Sequence, residues 1–158
     1  MFSQHDISYM QQAISQAKTA AKNNEVPVGA VLVHDNQVIG EGWNKPICTH
    51  DPTAHAEIIA LRDGAFKLKN YRAVHSTLYV TLEPCIMCVG AIVHARVQRV
   101  VFGAADPKAG AVMSAFQLGD TQKLNHRVEY VGGLLADECG ELLRQFFRER
   151  RVDERIHK

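Results

Sequence analysis

Residues 78–88 read Leu-Tyr-Val-Thr-Leu-Glu-Pro-Cys-Ile-Met-Cys, and this stretch determines how the chain folds around its chemistry. Its first five residues are apolar or β-branched, which is typical of a buried strand. Pro84 suits the first position of a helix, which we expect to continue to His94. Cys85 and Cys88 are three residues apart on that helix, so their side chains share one face. Both lie in its first turn, where the helix dipole favours the thiolate form that binds metals.

A second stretch, residues 53–57, reads Thr-Ala-His-Ala-Glu and adds two further kinds of side chain. His55 together with Cys85 and Cys88 makes three ligands, a set that leaves the fourth position of a tetrahedral zinc ion open. An open position is typical of catalytic zinc, because it holds a water molecule whose pKa the metal lowers toward about 7. Glu57 follows His55 by two residues and can carry protons without binding the metal. The residue types therefore predict an open-site zinc hydrolase with Glu57 as the catalytic residue.

Two other interpretations of the cysteine pair deserve comparison. A redox-active Cys-x-x-Cys would require a thioredoxin-like order of elements, and it would give His55 and Glu57 no role. A structural zinc site needs a fourth ligand, for which Cys48 and His50 are the nearby candidates, and neither has ligand-like spacing. Cys139 lies among leucines, so we predict that it is a small core residue.

The other elements follow the hydrophobic periodicity of the chain. Apolar residues at helical spacing predict a first helix that ends near residues 23–24, and the run at 26–33 predicts a strand buried on both faces. Further predicted elements are a return strand at 38–43, a helix that starts at Pro52, strands at 97–102 (broken at Gly103) and 128–131, and a C-terminal helix at 137–155. This order predicts an α/β fold in three layers, with helices on both faces of one sheet.

The composition is that of one domain, residues 1–158. Hydrophobic residues make up 46% of the chain, which excludes disorder, and the net charge of +1 restricts nucleic-acid contact to a local patch. No apolar run approaches the roughly 18 residues of a membrane span, and the first ten residues lack a secretory signal. We expect a cytoplasmic protein without a membrane partner, whose four cysteines are ligands or core residues rather than disulfides.

The two motifs combine as H-x-E followed by P-C-x-x-C, the signature of zinc deaminases that act on nucleobases. Over about residues 7–151 the sequence resembles the bacterial tRNA adenosine deaminases. The matching stretches are Val-Pro-Val-Gly-Ala at 26–30, Gly-Trp-Asn at 42–44, Asp-Pro-Thr-Ala-His-Ala-Glu at 51–57, Tyr-Val-Thr-Leu-Glu-Pro-Cys at 79–85, Val-Phe-Gly-Ala at 101–104, Asn-His-Arg-Val at 125–128, Leu-Leu at 142–143 and Phe-Phe-Arg at 146–148.

This resemblance implies a fold, a reaction and an assembly. The fold would be a cytidine-deaminase-like α/β/α domain with a five-stranded mixed sheet. The reaction would be hydrolytic deamination of adenosine to inosine at the wobble position of tRNA, with release of ammonia. Each subunit would hold one zinc ion, and the chain would form a homodimer in which the tRNA anticodon loop contacts both subunits.

The resemblance also implies roles for individual residues. His55, Cys85 and Cys88 match the zinc ligands, and Glu57 matches the proton carrier. The residues implied to bind substrate are Asn44, Ala56 through its backbone N–H (with that of Cys85), Asp106, Lys108, Phe146, Phe147 and Arg148. The chain departs from the family pattern at Ala105, Ala109 and Met113, and all three lie in the segment around Asp106 and Lys108.

The C-terminal segment carries a local excess of positive charge. Residues 144–158 contain six Arg or Lys against three Asp or Glu, with Phe146 and Phe147 among them. Basic residues with aromatic neighbours bind phosphates and stack bases. A solvated helix end with one phenylalanine in the core has the same composition, so the charges alone leave RNA binding open.

Two rival functions remain. A guanine deaminase that acts on the free base shares both motifs and a similar length, although the Phe-Phe-Arg helix and the Phe-Gly-Ala stretch favour the tRNA enzyme. A zinc module that binds RNA without catalysis belongs to another class. It would need four protein ligands on the metal, and it would leave Glu57 without a task.

Overall fold

The computed structural model describes residues 1–157, so the predicted domain of residues 1–158 extends one residue further, to Lys158. The strands are β1 (Gly29–His34), β2 (Gln37–Trp43), β3 (Ser76–Leu82), β4 (Arg99–Ala104) and β5 (Glu129–Gly132). The helices are α1 (Gln4–Lys22), α2 (Pro46–Thr49), α3 (Ala56–Leu68), α4 (Ile86–His94) and α5 (Ala136–Ile156), with one 3₁₀ turn at Leu118–Asp120.

The five strands form one mixed sheet in the order β2-β1-β3-β4-β5. β1 runs antiparallel to both β2 and β3, whereas β3, β4 and β5 are parallel. The start of β1 and the ends of the other four strands therefore meet at one edge of the sheet. The loops of that edge are where parallel α/β sheets place their ligands.

Helices cover both faces of the sheet. Ala30 and Leu32 of β1 pack with residues of α3 and α4, while Val31 and Val33 pack with residues of α1 and α5. Because successive side chains of a strand point to opposite faces and both faces are covered, β1 is apolar from Ala30 to Val33. The expected three-layer α/β/α arrangement with a five-stranded mixed sheet is confirmed.

Two predicted helix starts are wrong. The helix expected to begin at Pro84 begins at Ile86, with Cys85 as its N-cap. The helix expected at Pro52 begins four residues later, because the N–H and hydroxyl of Thr53 both donate to Asp51 and fold residues 51–53 into a turn. His55 is still extended, with φ −73° and ψ 154°. It is Pro46 that occupies a first helical position, in the short α2 that the sequence analysis missed.

Strand boundaries also differ from the prediction. The strand expected at 26–33 starts at Gly29, since Pro27 has no N–H for a ladder and Val28 donates to the Val26 carbonyl in a tight turn. β4 passes through Gly103, because Ala104 still pairs with β3. The C-terminal helix is longer by one residue at each end than the predicted 137–155.

A buried carboxylate ties α1 to the sheet at the edge opposite the motif loops. Asp6 is 5% exposed, accepts the backbone N–H of Ser3 at 2.9 Å and closes the N-terminal capping box. Its other oxygen accepts the Tyr79 hydroxyl at 2.7 Å and the Arg99 guanidinium at 2.9 Å. Burial raises the pKa of Asp6, but the hydrogen bonds from Arg99, Ser3 and Tyr79 outweigh it and hold the pKa well below its usual range.

We expect Asp6→Asn to lower the free energy of unfolding by about 2 kcal/mol at pH 7, since it removes hydrogen bonds to a charged group. A carboxyl group with a lowered folded-state pKa stabilises the fold above its unfolded pKa of about 3.9, and this contribution is lost as the pH falls. The gap between wild type and variant should therefore narrow below about pH 4. Urea unfolding at several pH values measures the difference in free energy of unfolding between wild type and Asp6→Asn. A difference that does not change with pH would contradict the lowered pKa of Asp6.

Candidate active site

His55, Cys85 and Cys88 form a compact cluster at the edge where the strand ends meet. The Nδ1 atom of His55 lies 3.5 Å from the Sγ of Cys85 and 3.6 Å from that of Cys88. The three ligand atoms all lie within 4.8 Å of one another, so the group could hold a metal ion. The structure thus brings together the three residues that the motifs single out.

Helix starts position two of these ligands. His55 is the N-cap of α3 and Cys85 is the N-cap of α4, and neither side chain caps its own helix. The two side chains are therefore free to face each other, while Cys88 joins them from the first turn of α4. Both helices point their positive ends at the cluster, which favours thiolates and anionic groups there.

The cluster is electrostatically prepared for a cation. Hydrogen bonding from Cys88 lowers the pKa of the Cys85 thiol to about 4, aided by His55 and opposed by burial. The hydrogen bond to Cys85 and burial raise the pKa of Cys88, and the hydrogen bond to Cys85 raises that of His55. The lowered pKa of Cys85 favours its thiolate, which is the form of cysteine that binds metal ions.

Glu57 is buried beside the cluster. It lies in the first turn of α3, is 4% exposed, and faces both His55 and Cys88. Burial raises the pKa of its carboxyl group, with the backbone N–H and His55 acting in the opposite direction. A buried carboxyl group with a raised pKa beside such a cluster is a candidate for proton transfer.

The end of β2 brings Asn44 next to the start of α3. The backbone N–H of Lys45 donates to the Ala54 carbonyl at 3.0 Å, directly before His55. The strand can approach so closely because a Cβ at Gly42 would overlap the carbonyl oxygen of Ala56. The Asn44 amide donates to the Val26 carbonyl at 3.3 Å, which fixes the side chain at the edge of the site.

Asp106 and Lys108 lie in the segment of residues 105–116, here called the 105–116 loop. The carboxylate of Asp106 accepts the backbone N–H groups of Lys108 and Ala109 at 3.1 and 3.2 Å, so it shapes its own turn. The Ala111 N–H donates to the Pro84 carbonyl at 2.8 Å, which joins the loop to the cysteine segment. The loop therefore borders the His-Cys-Cys cluster, and its departures from the family pattern, Ala105, Ala109 and Met113, are exposed.

The two phenylalanines of α5 point to different surroundings. Phe146 is half-buried, lines a groove with residues at the end of α1, and carries the Arg150 guanidinium 5.6 Å from its ring centre. Phe147 is 41% exposed and lines a separate groove between α5 and the 105–116 loop. The residues lining that second groove, here called the basic groove, are Lys108, Leu143, Arg144, Phe147, Arg148 and Arg151.

The alternative fourth ligands lie outside the cluster. Among residues 1–157 the only group of His, Cys, Asp or Glu close enough to hold a metal is His55, Cys85 and Cys88. Cys48 is exposed on α2, where its thiol contacts the Lys45 carbonyl. Cys139 is buried as predicted and packs against Gly103. The geometry favours an open three-ligand site over a closed structural one.

Sequence reasoning assigned no role to two buried glutamates. Glu25 is 1% exposed and accepts the backbone N–H groups of Ile47 and Cys48, which holds α2 beside Asn44. Glu83, directly before the cysteine segment, is 2% exposed and binds the 105–116 loop. A charged residue at the end of an apolar strand was the only signal for Glu83 in the sequence.

The sheet, the two helix starts and the His-Cys-Cys cluster with a buried glutamate define a deaminase-type catalytic domain. Residues 4–151 match the family of MafB19-like deaminases. A tRNA-specific adenosine deaminase of Haemophilus influenzae is 54% identical over 157 residues, which cover 99% of this chain and 91% of that protein. The chain therefore belongs to the deaminase family and, within it, to the tRNA-specific adenosine deaminases.

Solved structures agree with this assignment. A structure from studies of A-to-I editing by tRNA:A34 deaminases at the wobble position of transfer RNA superposes with a TM-score of 0.84 at 41% identity. It covers 86% of this chain and 99% of that one. A guanine deaminase of Nitrosomonas europaea has a TM-score of 0.74 at 21% identity over 92% of this chain and 85% of that one, and it shares the fold alone. Within residues 1–157, every helix is too short or too polar to cross a bilayer.

Proposed function

We propose that this chain hydrolyses adenosine to inosine at the wobble position of a tRNA anticodon and releases ammonia. The observation that carries the proposal is the buried carboxyl of Glu57 beside an open three-ligand cluster. Membership of the tRNA-specific adenosine deaminases supports the choice of substrate.

The cluster fits one zinc ion per chain, held by His55, Cys85 and Cys88. Zn–N and Zn–S bonds of ordinary length at tetrahedral angles place nitrogen and sulfur about 3.6 Å apart. The observed separations of 3.5 and 3.6 Å match that spacing. When bound, zinc supplies Lewis acidity that makes water nucleophilic near neutral pH.

The residues of the chain supply orientation and proton transfer. Glu57 accepts a proton from the attacking water on its carboxylate and delivers it to ring nitrogen N1 of adenine. Oxygen then bonds to C6. Glu57 takes the second proton from that oxygen and delivers it to the exocyclic amino group, the bond from C6 to that nitrogen breaks, and ammonia leaves as the C6 carbonyl of inosine forms. The backbone N–H groups of Ala56 and Cys85, at the starts of α3 and α4, donate within the site, and Asn44 binds the extruded nucleotide.

The basic groove is the proposed path of the anticodon loop. Lys108 extends from the 105–116 loop toward the same groove that Phe147 and Arg148 line from α5. Guanidinium and ammonium groups bind phosphates, while the exposed ring offers a stacking surface for a base. Phe146, packed beside α1, holds α5 in place and contributes at the edge of this path.

We also propose that the chain acts as a homodimer through the outer surface of α3 and α4. Ile86, next to Cys85, is 57% exposed, and Tyr71 is 67% exposed in a mostly apolar groove that reaches Ala91 of α4. Apolar groups exposed beside a site are typical of a covered interface. Light scattering of the purified chain tests this assembly.

We assign the enzyme to the cytoplasm. Cys85 and Cys88 bind zinc only as thiolates, and the cytoplasm keeps cysteines reduced. All four cysteines of the chain are free of disulfides. A cytoplasmic enzyme also meets the proposed tRNA substrate directly.

The test offers the purified zinc-loaded chain an anticodon stem-loop RNA and free guanine side by side. We expect inosine in the RNA, detected by mass spectrometry of its nucleosides, and no ammonia from guanine. The double variant Lys108→Ala with Arg148→Ala should raise KM for the RNA about tenfold or more and flatten its salt dependence, since two phosphate contacts are lost. Ammonia from guanine alone would favour the guanine deaminase, and bound RNA without inosine would favour the non-catalytic module.

A further inference from the structure

The carboxylate of Glu83 is buried between the cysteine segment and the 105–116 loop. One oxygen, Oε1, accepts the backbone N–H of Asp106 at 3.1 Å and the Ser114 hydroxyl at 2.5 Å. The other, Oε2, accepts the backbone N–H groups of Val112, Met113 and Ser114 at 3.1, 2.9 and 3.1 Å. Five donors from one loop therefore converge on a single side chain.

Glu83 connects the 105–116 loop to the segment that carries the two cysteines. Glu83 lies two residues before Cys85, and its own backbone N–H donates to the Ala104 carbonyl at 2.8 Å. Its side chain therefore joins the segment that carries the metal ligands to the loop that carries Asp106 and Lys108. Burial raises the pKa of Glu83, but the donors from Met113, Ser114 and Asp106 outweigh it, so the pKa lies below its usual range.

We infer that Glu83 is a positioning residue that fixes the 105–116 loop against the cluster and thereby sets the affinity for nucleotides that flank the reacting base. This inference rests on the proposed function, because it assigns the loop to RNA contact. The side chain acts through Asp106 and Lys108 and does not itself contact substrate.

The donor pattern predicts how an amide would behave at this position. In Glu83→Gln, an amide nitrogen at the Oε2 position would face three backbone N–H groups, which is unfavourable. At the Oε1 position it meets the Asp106 N–H and the Ser114 hydroxyl, and a hydroxyl can rotate to accept. The amide should therefore keep the three donors at residues 112–114 and release the Asp106 N–H alone.

A substitution at Gly110 would disturb the same contact between the Glu83 carboxylate and the 105–116 loop. A Cβ there would overlap the carboxylate carbon of Glu83 and lie 2.6 Å from both its Oε1 atom and the Asp106 carbonyl oxygen. Gly110→Ala should therefore displace the Asp106 end of the loop while the carboxylate stays chemically intact. Glu83→Gln changes a hydrogen-bond acceptor and Gly110→Ala adds a methyl group, so the two variants disturb the contact between Glu83 and the loop by different means.

The experiment measures KM and kcat for inosine formation on a stem-loop RNA, together with zinc content and the Kd of the same RNA by fluorescence anisotropy. We expect Glu83→Gln and Gly110→Ala to raise KM and Kd about tenfold and to change kcat less than about threefold, because loop position affects binding more than chemistry. Zinc content should stay at the wild-type level. Ser114→Ala, which removes one donor but keeps the Asp106 bond, should raise KM less than about threefold.

Asp6→Asn is the matched control, since it alters a buried hydrogen-bonded carboxylate at the opposite edge of the sheet. It should lower stability and leave KM unchanged at a temperature where the variant is folded. Loss of zinc in Glu83→Gln, a fall in its kcat of more than about threefold, or an unchanged KM would overturn the inference. If the wild type binds RNA without making inosine, the proposed function fails, and the Kd values still decide on Glu83. If the wild type does not bind RNA, both proposals fail.

Discussion

Glu57→Gln is expected to lower kcat for inosine formation by about 10³-fold or more while zinc stays bound. General acid–base catalysis contributes roughly 10² to 10⁴ to a rate, and Glu57 performs two successive proton transfers in the proposed reaction. The substitution keeps the size of a side chain that is 4% exposed, so packing changes little. It leaves His55, Cys85 and Cys88 intact, so metal content should match the wild type. Single-turnover kinetics with zinc analysis by atomic absorption checks both halves of the prediction.

The matched control for Glu57 lies on the outer side of the same helix. Asp63 accepts the Glu41 N–H and pairs with Lys67 in a partly exposed position. Asp63→Asn makes the same chemical change as Glu57→Gln and should leave kcat within about twofold of the wild type. A Glu57→Gln enzyme that keeps more than about a tenth of the wild-type kcat would remove Glu57 from the mechanism.

Local patterns were sufficient to predict the framework of the site. Residues 78–88 predicted a strand followed by a helix that continues to His94, and the structure forms both, although the helix begins at Ile86 and only Cys88 lies in its first turn. The return strand predicted at 38–43 is present as β2, and residues 35–36 adopt positive φ in the tight turn before it. These predictions succeed because periodicity, prolines and turn residues act over a few positions.

Local patterns do not predict features that depend on contacts between distant parts of the chain. Pro52 fits a helix start, but the turn made by Asp51 and Thr53 delays the helix to Ala56. The role of Glu83 depends on backbone N–H groups 23 to 31 residues further on, which no local pattern reports. Phe146 lines a groove with the end of α1 and Phe147 lines a groove with the 105–116 loop, and this difference likewise follows from how distant segments pack beside α5.

Cys88→Ala is expected to abolish stable zinc binding and, with it, inosine formation. Structural zinc sites bind with roughly 10–16 kcal/mol, so each ligand of three or four accounts for about 3–4 kcal/mol, or a 10²- to 10³-fold change in Kd. Cys88 is fully buried and lies inside α4, whereas His55 and Cys85 are N-caps. Competition with a chromophoric chelator measures the zinc Kd, and dialysis should leave less than about 0.1 zinc per chain.

A control variant shows whether zinc is lost because Cys88 is a ligand or because any thiol has been removed. Cys48→Ser alters an exposed cysteine that lies outside the cluster, so its zinc Kd should equal that of the wild type. Excess zinc should restore metal to Cys88→Ala only at concentrations about 10² to 10³ times higher than the wild type needs, in line with the lost ligand. A variant that keeps wild-type zinc affinity without the Cys88 sulfur would mean that another group completes the site. The three-ligand cluster, and the open position that the deamination chemistry requires, would then both be wrong.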